Sequence, residues 1–144
     1  MELLELLEHY RDDSRVAHLI ESFEYSGKTA LLNVIGSQAA VFGAGIFLKT
    51  DYSGLFVLSN AEAAAYFEND LQQLLPNHEI LLFPSSYKKV NNFTEIDNNQ
   101  VLLRAKVIDE LMHVKKGQKL IVTYPEAIQE MTVAAETISE NTLH

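Results

Sequence analysis

The chain contains no cysteine. That excludes a disulfide framework, a thiolate metal site and a cysteine nucleophile. Basic residues are also scarce, with 11 Lys and Arg against 20 Asp and Glu for a net charge of −9. The few that exist are scattered. Lys88-Lys89 and Lys115-Lys116 are the only pairs, both in segments expected to connect elements. Binding nucleic acid through phosphates needs clustered Lys and Arg, so no direct nucleic-acid binding is expected. Arg104 is the only Arg beyond the first two expected helices, and it is expected to pair with acidic neighbours on a helix surface. No apolar run approaches the ~18–20 residues of a membrane span. The acidic start, Met1-Glu-Leu-Leu-Glu5, lacks the basic region of a signal peptide. These features fit a soluble cytoplasmic protein with no membrane partner.

Catalytic patterns are missing too. His9, His18, His78, His113 and His144 show no metal-ligand spacing, and there is no H-E-x-x-H. Ser37 follows Gly36 at an expected strand-to-helix turn, but the full G-x-S-x-G is absent, and helix capping is the simpler role for Ser37. Gly43-Ala-Gly45 falls inside a helix rather than at its start, which argues for close packing rather than a dinucleotide loop. None of the apolar strands Leu55–Leu58, Ile80–Phe83 and Leu120–Val122 ends in a carboxylate that could hold Mg²⁺ or activate water. Asp109-Glu110 reads as a solvated helix face. No catalytic residue, metal ligand or cofactor is expected.

At 144 residues and 47% apolar content the chain suffices for one domain with a sizeable core. Glu2 to Tyr10 has a helical apolar pattern, and Asp12, Asp13 and Ser14 offer caps for a second helix. Thr29–Ile35 reads as a buried strand and Gln38 to about Lys49 as a helix. Gly54–Leu58 reads as a strand covered on both faces. Ser59 or Asn60 caps a helix reaching about Leu75, which Pro76-Asn77 ends. Glu79–Phe83 is a third strand, followed by a polar connection from Ser85 to Asn92. A helix is expected from about Glu95 to Val114, then a strand at Lys119–Thr123 and a short helix opened by Pro125. Strands alternating with helices predict an α/β fold: a parallel sheet with right-handed crossovers and helices on both faces. The polar end, Glu136 to His144, reads as the start of a connection to more protein.

Strand, tight turn and helix at 29–49 are the frame of a phosphate-binding P-loop. Laid over G-x-x-x-x-G-K-[ST], the frame puts Asn33 at the first Gly, Gln38 at the second, Ala39 at the Lys and Ala40 at the hydroxyl residue. The turn keeps Gly36 and Ser37. The phosphate-binding charge and the Mg²⁺-binding hydroxyl are gone, so this degenerate loop is expected to be inactive. Ser26-Gly27-Lys28-Thr29 is a decoy. Its first Gly is replaced by Ser22, and it precedes the strand where a working loop follows one.

Several pieces in order carry a family resemblance: Asn33–Ala40, Phe56–Ala63 leading into Phe67–Leu71, Leu81–Ser86, Leu103–Leu111 and Leu120–Ala127. Together they resemble the N-terminal UvrB-like domain of the bacterial transcription-repair coupling factor (Mfd) family. The resemblance implies a three-layer, P-loop NTPase-like (RecA/helicase-like) fold whose nucleotide site is degenerate. It divides the chain into a helical lead-in at 1–26, the α/β domain at 27–131 and the start of a connection at 132–144. The adenine-reading Gln motif of UvrB is not evident around Arg15 to Phe23. UvrB's Tyr-rich hairpin is cut down here to Ser85–Phe93, with only Tyr87 and Phe93, which implies loss of the DNA-handling element. The implied role is a non-catalytic scaffold for DNA repair. The parent protein would be an ATP-driven DNA translocase that displaces stalled RNA polymerase and recruits UvrA, mainly through the following domain. Two other readings stay open. One is a stand-alone ligand-binding module with its pocket around Gly36-Ser37, Ser59 and Ser85-Ser86; the other is an active NTPase or helicase fragment.

Overall fold

A computed structural model describes Glu5, Glu8 and residues 12–25, 28–90, 93–112 and 118–130. The expected first helix falls mostly outside these, although Glu5 and Glu8 are helical; the expected connection at 132–144, His9, His113, His144, Lys115, Lys116 and Gly27 also lie outside them.

Helix α1, Ser14–Tyr25, starts where the Asp13 carboxylate accepts the Arg15 N–H at 2.7 Å. Helix α2, Gln38–Lys49, is apolar almost all round and buries Ala40 to Gly45 and Phe47. Strand β1 is Gly54–Val57. Asn60 rather than Ser59 caps helix α3, Ala61–Leu74: its side-chain oxygen accepts the Ala63 N–H at 2.9 Å. Alternating three- and four-residue steps bring Ala64, Phe67, Leu71 and Leu74 onto one buried face of α3. Strand β2 is Ile80–Leu82. Strands β3, Tyr87–Val90, and β4, Phe93–Ile96, form a hairpin. Helix α4, Asn98–Met112, leads to β5, Leu120–Thr123, and helix α5, Pro125–Gln129.

The main sheet is parallel, in the order β1-β5-β2. Its register sets Gly54 and Ile80 beside Leu120, and Phe56 and Leu82 beside Val122. One face therefore carries Phe56, Ile80, Leu120 and Val122, which join α2 and α3 in the main core. Fully burying a side chain such as Leu71 or Leu120 contributes about 1.5–3 kcal/mol. Residues at odd positions face the other way. There α4 covers β2, and Leu81 and Val107 are buried. The chain is thus an α/β protein with a small parallel sheet flanked by helices. Among the described residues, no helix is long and apolar enough to cross a membrane.

Four expectations need correction. Thr29–Ile35 is not a strand. An apolar run becomes a strand only with a neighbour to share its ladder. Here the backbone turns at Asn33 (φ 60), a left-handed conformation that Asn tolerates better than its neighbours. No ladder to β1 forms, and Leu31, Leu32 and Ile35 stay 45%, 82% and 76% exposed. Gly54–Leu58 is not covered on both faces: α4 packs chiefly on β2, and Leu55 and Val57 are 62% and 51% exposed. The polar connection after β2 is the β3–β4 hairpin, with Tyr87 opposite Ile96 and Val90 opposite Phe93; it places Lys88-Lys89 in a strand rather than a connecting segment. Lastly, Glu95 belongs to β4. Helix α4 starts at Asn98, because Asp97 accepts the Asn99 N–H at 3.0 Å and so caps it.

Candidate functional site

The turn expected to be a degenerate phosphate loop lacks the strand of that frame and is closed on itself. Gly36 makes its turn at φ 57, and Ser37 stands at the N-cap of α2 without a side-chain capping bond. Gln38, the first residue of the helix, instead ties back to the residue before the turn. Its N–H donates to the Ile35 carbonyl at 3.3 Å, and its Oε1 accepts the Ile35 N–H at 3.0 Å. A working phosphate loop keeps such N–H groups free for an anion. Here the one at Ile35 is spoken for by a neutral carboxamide. Ala39 is exposed and Ala40 fully buried, so neither brings charge or hydroxyl to the helix start. Asn33, Gly36, Ser37 and Gln38 are all exposed.

Gly43 has the packing role its position implied. A Cβ there would meet Phe56 Cζ at 2.9 Å.

The carboxyl ends of β2 and β5 are filled by the protein's own polar groups. Arg104 is central to this cluster, which corrects its expected place on a helix surface. It is only 5% exposed. Helix α4 directs its guanidinium inward, where Nη1 donates to the Pro84 and Ala127 carbonyls at 2.7 and 2.9 Å. Its Cζ lies 4.1 Å from the Phe83 ring centroid, and Nε lies 3.6 Å from Glu130 Oε1. Glu130 Oε2 in turn accepts the Ser86 N–H at 2.8 Å and the Ser85 hydroxyl at 3.0 Å. The Tyr124 hydroxyl accepts the Ser85 N–H at 2.8 Å. Burial pushes the Glu130 pKa up. The bonds from Ser86 and Ser85 and the charge of Arg104 outweigh it, leaving the carboxyl below its ordinary value. A carboxylate so stabilised is a poor base, and Ser85 is buried. The cluster anchors the hairpin root; it does not assemble a reacting pair. Its bulk occupies the Ser85-Ser86 part of the pocket that a stand-alone binding module would need.

Sequence reasoning missed Arg104, Glu130 and Tyr124 as a unit. One Arg in a helix carries no sign that it points inward, and its partners lie 20 or more residues away. Among the described residues, no group of three or more His, Asp or Glu side chains could hold a metal ion. No protein-family model, curated protein or solved structure matches the chain.

Proposed function

We propose that this chain is the UvrB-like, non-catalytic scaffold domain of a bacterial transcription-repair coupling factor. On this reading its layout derives from P-loop, RecA-like helicase domains whose nucleotide site has degenerated. The observation that carries the reading is the two-way bond between Ile35 and Gln38 at the start of α2. It commits the Ile35 N–H to a neutral side chain, and on this reading Ala39 and Ala40 stand where a working loop has Lys and a hydroxyl residue. The ordered sequence resemblance from Asn33 to Ala127 supplies the family. The domain's partners are then the other domains of its cytoplasmic parent. UvrA is engaged through the domain that follows, and DNA and RNA polymerase through the motor.

Two measurements test this. Calorimetric titration with Mg-ATP is expected to show no saturable binding; micromolar affinity overturns the non-catalytic reading. The reading frame past His144 is expected to encode an intact G-x-x-x-x-G-K-[ST] with an acidic strand end. A stop codon soon after His144 overturns the coupling-factor assignment.

A further inference from the structure

Among the described residues, no strand pairs with the outer edge of β1 or of β2. The one at β1 is bordered by exposed Leu55 and Val57. The edge at β2 is more informative. The Phe83 N–H donates to the Val122 carbonyl, so odd-numbered residues of this strand face β5. Adjacent strand residues direct their N–H and C=O to opposite sides. Ile80 and Leu82 therefore present theirs outward, and among the described residues β2 has no strand on that side.

That edge opens into a cavity of about 320 Å³ between α3 and α4. Glu68 and Gln72 line it from α3, and Leu103, Lys106 and Val107 from α4. The charges do not balance. Lys106 Nζ is committed to Glu79 at 2.6 Å. Glu68 receives only the neutral Gln72 amide, at 2.8 Å, and among the described residues no cation lies within ion-pair distance of it. Glu68 is partly buried, and that burial raises its pKa. A carboxylate losing water without gaining a countercharge is one that an incoming cation relieves.

We propose that this cavity binds an extended segment of a partner polypeptide, which adds to the β2 edge and sets a Lys or Arg side chain on Glu68. Side chains of an added strand alternate between the two helices. A basic residue facing α3 is thus flanked by residues facing α4, where Leu103 and Val107 favour aliphatic groups. The recognised pattern is apolar-basic-apolar. The net charge of −9 further steers such a segment inward. The site stands independently of the phosphate-loop reading.

The test is an NMR titration of ¹⁵N-labelled protein with the capped peptide Thr-Val-Lys-Val-Thr and with its norleucine analogue. The Lys peptide is expected to saturate, to shift the amides of Glu68, Gln72, Ile80 and Leu82, and to slow hydrogen exchange at Ile80 and Leu82. It is expected to bind about two- to fivefold tighter than the norleucine peptide, the range of a partly exposed ion pair. Glu68→Gln is expected to erase that preference while leaving the rest of the spectrum in place. Equal affinity of the two peptides overturns the proposal, as does the absence of saturable shifts at the β2 edge. Capped lysine alone binding as tightly as the peptide also overturns it, because strand addition would then contribute nothing.

Discussion

Ile35 and Gln38 bond each other in both directions, backbone to backbone at 3.3 Å and side chain to backbone at 3.0 Å. The Gln38 side chain thereby pins the turn before the helix, while the helix start has no side-chain cap. Gln38→Ala removes the acceptor at an exposed site and is expected to cost about 0.5–1 kcal/mol in urea unfolding. Gln38→Glu keeps the acceptor and adds negative charge to a helix start, so it is expected to match or exceed the parent stability. A Gln38→Glu protein less stable than Gln38→Ala would refute this account.

Gly43 leaves the space that the Phe56 ring uses. Ala is the better helix former by about 1 kcal/mol, but its methyl group meets Phe56 Cζ at 2.9 Å. Only the ring's tip is in the way, and cavities lie beside it at either end of β1. Gly43→Ala is therefore expected to stay within about 1 kcal/mol of the parent, gain and clash offsetting. Gly43→Leu has no such room and is expected to lose about 2–3 kcal/mol by the same unfolding assay. Equal stability of the two variants would show that the close approach is not tight.

Arg104 serves the backbone carbonyls of Pro84 and Ala127, to which no other side chain among the described residues donates. Arg104→Met keeps much of the volume but leaves Glu130 and the Pro84 and Ala127 carbonyls without it. It is expected to cost about 3–5 kcal/mol, the usual result of breaking a buried ion pair from one side. Arg104→Lys retains the charge, but a single ammonium cannot repeat the fork, and only part of the loss is expected to return. Denaturant midpoints of the three proteins decide this.

The Glu130 carboxyl also sets an acid response. Its folded pKa lies below the unfolded one. Its contribution is therefore fully present above the unfolded value of ~4.3, and is lost as pH falls through the folded pKa. Thermal midpoints are expected to drop below about pH 4. Glu130→Gln is expected to be less stable at pH 7 and to show a shallower acid decline. Parallel decline in both proteins would assign the acid sensitivity to other carboxylates.

What could be read from sequence divides along physical lines. Helices α2 and α3 and strands β1, β2 and β5 announce themselves through apolar periodicity and through Pro76, Asn60 and Pro125 at their ends. Strand pairing is a different kind of fact. Thr29–Ile35 has a strand's composition, yet composition supplies no neighbour, and Asn33 turns the chain. The hairpin did leave a signal: two runs of four, Tyr87–Val90 and Phe93–Ile96, separated by Asn91-Asn92, a pair suited to a two-residue turn. Its alternation was hidden by charged residues. At the turn before α2, the absence of charge and hydroxyl at Ala39 and Ala40 was legible, but nothing in the sequence marks Gln38 as turning back onto Ile35.

The sheet order has a consequence for a chain made from its amino end. Among the described strands β5 is the last to be synthesised, yet it lies between β1 and β2 and is the only one that pairs with either. Until Leu120–Thr123 leaves the ribosome, neither earlier strand has this partner. Ser85 and Ser86 wait longer still, since Glu130 follows them by 45 and 44 residues. The nascent chain can hold helices early, but its sheet closes in one late step, and such distant pairings are the slow ones.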